Sequence, residues 1–139
     1  MRNPRGMPEL QKLTTLLMFQ RGDAEQAMNF YTELFDDGEV LVVDRYGPGE
    51  PGPEGGVQQA VFTVAGQQLR CFDSPIPHNF EFTPSMSLFV QCASREELDR
   101  LWSALAEGGM PLMPLDDYGF GPFGWTNDRF GVSWQLGLG

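Results

Sequence analysis

The chain has 139 residues and carries 19 acidic against 9 basic side chains, a net charge of −10. That length fits one domain, or two small modules sharing a core, and 41% hydrophobic with 20% charged residues is ordinary for a globular chain. Such acidity repels phosphate backbones, so nucleic acid is excluded as an expected partner; no apolar run is long enough to cross a membrane, and the polar start MRNPRGMPELQK has no apolar signal core, so a cytoplasmic location is expected.

Residues 1–12 read as a loose lead-in and 13–139 as one domain of two modules, about 13–73 and 85–137. The first module opens with Thr14 to Phe19, a short apolar run that reads as a buried strand. A turn at Arg21-Gly22 leads to Asp23, a good N-cap with Gln26 as its capping-box partner. Ala24, Ala27, Met28, Tyr31, Leu34 and Phe35 then recur at helical spacing, and Gly38 stops the helix. Glu39 to Tyr46 is valine-rich and strand-like. A Gly/Pro loop, Gly47 to Gly56, separates it from a strand at Val57 to Val64, and Ala65-Gly66 turns tightly into Gln67 to Phe72.

The second module repeats this order. Met86 to Gln91 is an apolar strand, and Ser94 caps a helix with Glu97 completing an S-x-x-E box. Leu98, Leu101, Trp102 and Leu105 form the buried stripe, and Gly108-Gly109 ends the helix. Each fully buried member of such a stripe contributes roughly 1.5–3 kcal/mol, so each helix is expected to clamp onto a sheet. Leu112 to Leu115, flanked by prolines, reads as an edge strand. Gly124 to Thr126 and Val132 to Leu136 are the last two strands, joined by a turn at Asn127-Asp128. The predicted fold is therefore α+β: two βαβββ modules forming cupped mixed sheets, each with a helix on its outer face. With one face covered, the other stays open, and two modules side by side would form a cup lined by alternate strand residues.

Several stretches together carry a family resemblance. They are FQRGDAEQAMNFYTELF at 19–35, RYGPG at 45–49, FEFTP at 80–84, SREELDRLW at 94–102, the pair Gly124-Trp125, and GVSWQ at 131–135. In this order they resemble the PhnB-like branch of the vicinal oxygen chelate superfamily (glyoxalases, bleomycin-resistance proteins, dioxygenases), often labelled 3-demethylubiquinone-9 3-methyltransferase. The resemblance covers nearly everything from Leu13 onward. It implies paired βαβββ modules, a homodimer, and a small-molecule pocket in each cup.

Metal enzymes of that superfamily place ligands on the first, fifth, middle and last strands. The resemblance puts those slots near Leu16, near Ser85, within Arg70 to Asp73, and at Gln135. Leucine cannot ligate a metal, serine rarely does, and three or four N/O ligands are needed, so no metal is expected. Gln135 reads either as a polar anchor at a pocket floor or as a core amide bonded to backbone. No cofactor is expected: adenosylmethionine-type donors use a Gly-rich strand-to-helix turn, and the glycine clusters at Gly47 to Gly56 and Gly119 to Gly124 do not run from a strand into a capped helix.

Other residues offer chemistry. His78, the one histidine, sits in a proline-stiffened loop where a solvent-exposed role is expected. Asp116 and Asp117 are adjacent acids, read as solvated, ahead of the aromatic and glycine-rich run Tyr118 to Trp125, read as a flap over a ligand or a dimer seam. Arg45 reads as a surface residue. Arg70 reads either as a surface arginine or as one projecting into a cup, where it would bind a carboxylate or phosphate. Cys71 and Cys92 read as reduced buried thiols, and Trp102 and Trp134 as core. The resulting expectation is a metal-free protein holding an apolar or aromatic ligand against Phe19, Phe62, Phe72, Trp125 and Gln135. The alternative is a metal-independent enzyme using Arg70 or Asp73; a metal-dependent lyase or dioxygenase ranks third.

Overall fold

The computed structural model describes Pro4, Gly6 and residues 8–139, so the expected lead-in lies partly outside the described residues. The chain divides into two compact units, residues 1–78 and 79–139. The first contains β1 (Thr15–Phe19), α1 (Ala24–Leu34), β2 (Glu39–Arg45), β3 (Val57–Val64) and β4 (Gln67–Asp73). The second contains β5 (Leu88–Cys92), α2 (Arg95–Ala106), β6 (Met110–Asp117), β7 (Pro122–Asn127) and β8 (Ser133–Leu138). Each unit is a four-stranded mixed sheet with the same weave. The orders are β1-β4-β3-β2 and β5-β8-β7-β6, and only the β1–β4 and β5–β8 pairs are parallel. The expected βαβββ repeat is present in both halves.

Local chemistry explains the elements. In α1 the buried positions Ala24, Ala27, Met28, Tyr31 and Leu34 form one stripe, and Tyr31 stacks on Phe62 of β3 at 6.3 Å between ring centroids. The N-cap expectation needs correction: Asp23 stands at the N-cap but makes no side-chain capping bond. Asp73, 49 residues away, does this work, its Oδ1 accepting from Ala24 N at 3.0 Å. The helix also ends before Gly38, with Phe35 already extended. Gly38 is still obligatory, because a Cβ there would run into the Thr32 backbone. In α2 the Ser94 side chain accepts from Glu97 N at 3.1 Å, while Glu97 Oε1 accepts from Ala93 N, one residue before the usual capping-box donor.

Close approach and edges shape the rest. A Cβ on Gly124 would lie 2.5 Å from the Trp102 ring, so glycine lets α2 settle onto β7. Strand β6 is an edge, as its prolines require, and breaks register around Met113. The β3–β4 turn uses Ala65 at φ 51 and Gly66 at φ 78; the Asp37 carboxylate holds it, accepting from both turn amides at 2.8 Å. The Gly47–Gly56 loop closes at its base, where Tyr46 N donates to Gly56 O and Gly55 N to Tyr46 O, both at 2.9 Å. Glu9 O and Gln11 N bond the side-chain amide of Gln68, each at 2.7 Å, which ties this stretch to the first sheet.

Candidate ligand site

Cross-strand register sorts the residues onto two faces, because paired residues share a face and alternate residues oppose it. In the first unit Leu17 pairs with Cys71 and Phe19 with Asp73, and Phe62 pairs with Leu69. The Tyr31–Phe62 stack and the Asp73–Ala24 bond mark this as the helix-covered face. Phe19 (2% exposed) and Phe62 (0%) therefore stand in the core beside α1, and they do not share a face with Phe72, Arg70 or Leu16. The helix-free face carries the row Leu16–Arg70–Val61 and, beside it, Met18–Phe72. Arg70 is half-buried, and its Nε donates to Thr14 Oγ1 at 3.2 Å.

In the second unit the helix-free face carries Phe89–Gln135–Trp125–Met113. One step along, Ser133 pairs with Asn127. A polar network runs across this face. Trp125 Nε1 donates to Ser133 Oγ at 2.9 Å, Ser133 and Ser87 hydroxyls bond at 2.8 Å, and Gln135 Nε2 donates to Ser87 Oγ at 3.3 Å. Gln135 thus spends one N–H and keeps its carbonyl oxygen and second N–H unspent among the described residues. Asn127 Oδ1 is buried with no hydrogen-bond partner among the described residues. Phe89, 60% exposed, and half-buried Trp125 flank the Gln135 amide from either side.

Aligning the two weaves puts Arg70 and Gln135 in the same slot. Each is the central-strand partner of the second residue of its unit's first strand, Leu16 or Phe89. The likeness extends to support: each side chain donates to a hydroxyl just before that strand, Thr14 or Ser87. In the first unit the slot sets a leucine beside a guanidinium and in the second a phenylalanine beside an amide, so neither unit offers a divalent cation more than one neutral oxygen there; Ser85, the expected fifth-strand position, lies in a turn before β5 with its hydroxyl bonded to that of Thr83. Among the described residues no three His, Cys, Asp or Glu side chains group closely enough to hold a metal ion. The donor set of these slots does not fit a metal.

The remaining candidates serve the scaffold. Asp73 is 2% exposed; its Oδ2 accepts from Val57 N at 2.9 Å while Oδ1 holds Ala24 N. His78 donates its backbone N–H to Gln20 Oε1 at 2.8 Å. Asp117 Oδ1 accepts from Gly119 N and Gly121 N and so shapes the β6–β7 turn, and Asp116 Oδ1 accepts from Asp117 N. The aromatic run is a hairpin end in which the rings of Tyr118, Phe120 and Phe123 lie within 6.5 Å of one another. Arg45 pairs with Glu25 on the surface, which lowers the Glu25 pKa through the hydrogen bond. Cys71 and Cys92 are free and buried; desolvation pushes their thiols up to about 12 and about 11. Sequence reasoning missed Thr14, Ser87, Ser133 and Asn127, since small polar residues at strand ends carry no periodic signal.

The glycine clusters lie in the β2–β3 and β6–β7 connections and, for Gly124, within β7, and the strand-to-helix turns at 20–23 and 93–94 hold only Gly22. The residues therefore do not fit the Gly-rich cradle of an adenosylmethionine site. No described helix is long and apolar enough to cross a membrane.

Comparison with known proteins agrees with this geometry. The 3-demethylubiquinone-9 3-methyltransferase family matches residues 11–137. A solved structure from Bacillus cereus, a putative 3-demethylubiquinone-9 3-methyltransferase called a PhnB protein, is 54% identical, with a TM-score of 0.90 over 93% of this chain and 100% of that one. A glyoxylase/bleomycin resistance protein/dioxygenase domain from Frankia is 20% identical, with a TM-score of 0.65 over 94% of this chain and 93% of that one. The fosfomycin resistance protein FosX of Listeria monocytogenes is 13% identical, with a TM-score of 0.60 over 95% of each chain. The last two share the fold. No curated protein matches the chain. The chain belongs to the 3-demethylubiquinone-9 3-methyltransferase family, as its match to the PhnB protein also shows.

Proposed function

We propose that this chain is a metal-free small-molecule-binding protein that holds an apolar or aromatic ligand on the helix-free faces of its sheets. The observation that carries this reading is the Phe89–Gln135–Trp125 row, an amide with an unspent donor and acceptor between two aromatic side chains. Flat apolar ligands gain from the rings, and the amide fixes their orientation through a carbonyl, an N–H or a ring nitrogen. Trp125 and Gln135 are the lining residues of the second unit's face, and Phe72 stands on the corresponding face of the first. Phe19 and Phe62 support the sheet from its other face. The misfit of the metal slots argues against a metal-dependent lyase or dioxygenase, and the missing glycine cradle argues against methyl transfer. Relatives named for bleomycin and fosfomycin resistance support a fold able to host small ligands.

A thermal-shift screen of aromatic metabolites and antibiotics tests this, because a ligand that binds only the folded chain raises the melting temperature. The expected hit loses affinity about tenfold in Gln135→Leu, the cost of one lost polar contact of order 1.4 kcal/mol. A broad screen without any stabilising compound sinks the reading.

A metal-independent enzyme is the second reading, and Arg70 on the helix-free face of the first unit, its Nη groups unspent among the described residues, favours it. Asp73 drops out of that role because both its oxygens are taken by backbone amides. Turnover of a bound compound, lost in Arg70→Gln, would establish it. We also propose a cytoplasmic homodimer: Leu16 and Phe89, 58% and 60% exposed, sit on sheet-edge strands that invite cover. Light scattering on the purified chain reads the mass directly, and a monomer refutes the dimer.

A further inference from the structure

Resting on the ligand-binding reading above, we propose that the first unit holds a receptor for an oxyanion, and that the ligand is an apolar or aromatic small molecule bearing a carboxylate or a similar anionic group, paired with Arg70.

The chain has 19 acidic residues for 9 basic ones, so cations on its surface have acids to spare. Arg45 pairs with Glu25 and Arg95 with Asp99. Arg70 pairs with no carboxylate among the described residues; its one bond there is Nε to Thr14 Oγ1 at 3.2 Å. The residue is half-buried, and its row neighbours are Leu16 and Val61, with Phe72 one step along the same face. A guanidinium that stands among apolar side chains without a counter-charge is free to take one from a ligand.

The geometry also says how an anion would be held. With Nε spent on Thr14, the Nη pair remains, and its parallel N–H groups match the two oxygens of a carboxylate or of one edge of a phosphate. Thr14 Oγ1 accepts from Nε, so its own proton stays available as a further donor. The bond to Thr14 fixes the guanidinium before any ligand arrives, which lowers the ordering cost of binding. Leu16, Met18 and Phe72 on the same face give the apolar body of the ligand its surface. In the corresponding slot of the second unit the side chain is the neutral Gln135, so the demand for negative charge belongs to the first unit alone.

The test uses matched pairs: mono- and bicyclic aromatic carboxylates, each with its carboxamide, titrated calorimetrically into the full chain. At least one acid is expected to bind wild type about tenfold or more tightly than its amide, the value of one charge-assisted contact. Arg70→Gln should bring that acid down to the level of its amide and leave the amide unchanged. Arg70→Lys, which keeps the charge but not the fork, should fall between. Circular dichroism and melting temperature confirm that each variant is folded. Equal binding of acids and amides, or an unchanged acid affinity in folded Arg70→Gln, overturns the oxyanion receptor while the ligand-binding reading stands. If wild type binds neither set, both fall.

Discussion

Asp73 Oδ1 accepts the amide of Ala24 at 3.0 Å, so the last residue of β4 caps the first helix across 49 positions of sequence. Its other oxygen holds Val57 N, and its carbonyl accepts from the Tyr46 hydroxyl at 2.9 Å. One buried side chain thus joins the start of α1, the start of β3 and the end of β4. Asp73→Ala strands two backbone donors and should cost about 3 kcal/mol, from roughly 1.5 or more per charge-assisted bond. Asp73→Asn, which keeps one acceptor, should cost less. Urea midpoints at constant slope read both; a loss under about 1 kcal/mol would show that water replaces the carboxylate.

The contact of Gly124 with Trp102 makes a second, independent claim. Gly124→Ala places a methyl group 2.5 Å from the indole, and overpacking of this kind costs about 1–3 kcal/mol. Trp102→Leu in the same chain should recover most of it. If the double variant is no more stable than Gly124→Ala, the clash lies elsewhere.

Restoring a carboxylate to the last strand should not restore a metal site. In Gln135→Glu the new acid would have Phe89, Trp125 and Ser87 as neighbours, too few donors for the three or four that a divalent ion needs. Equilibration with zinc, nickel or manganese followed by elemental analysis should find no stoichiometric ion in wild type or variant. One equivalent held through gel filtration contradicts the reading of these slots.

The buried thiols set an alkaline limit. Burial first, and then the charge of Asp73, raises Cys71 from 9.0 to about 12; burial and then Glu97 raise Cys92 to about 11, against a small opposing pull from Arg100. A folded pKa above the unfolded one means that stability is full below about pH 9 and is lost as pH climbs toward 11 and 12. Unfolding free energy measured between pH 8 and 11 should fall less steeply in Cys71→Ala than in wild type. Iodoacetamide at pH 8 should label neither thiol in the native chain and both in urea.

Ala65 is the one described non-glycine residue at positive φ, 51°. Ala65→Gly removes the steric penalty and regains part of it as unfolded-chain entropy, for a net gain of about 0.5 kcal/mol. A lower melting temperature would mean that the Asp37 clasp depends on the alanine methyl group.

Element order was legible from the chain because it rests on local chemistry: the stripe from Ala24 to Leu34, the Ser94 cap, the glycines after α2, the prolines of β6. Strand faces were not. Leu16-Leu17-Met18-Phe19 is apolar at every position, so no alternation says which side meets the helix, and only the pairing of Phe19 with Asp73 does. The same holds for Val61 and Phe62. Asp23 was the obvious cap by type and place; Asp73 displaced it through a contact that exists only once β4 is laid beside β1. The equivalence of Arg70 and Gln135 is a matter of register, and the two residues share no sequence context from which it could have been inferred.

The hydrogen bonds of Tyr46 with Gly55 and Gly56 cinch the base of the Gly47–Gly56 excursion like a drawstring. Beyond the knot, Glu50 still accepts from Gln58 of β3 and Gly52 lies against the Tyr46 ring, so a fluorophore or an affinity handle would be tolerated on the exposed side chain of Glu54, whereas added length at Gly52 would press on the buried tyrosine.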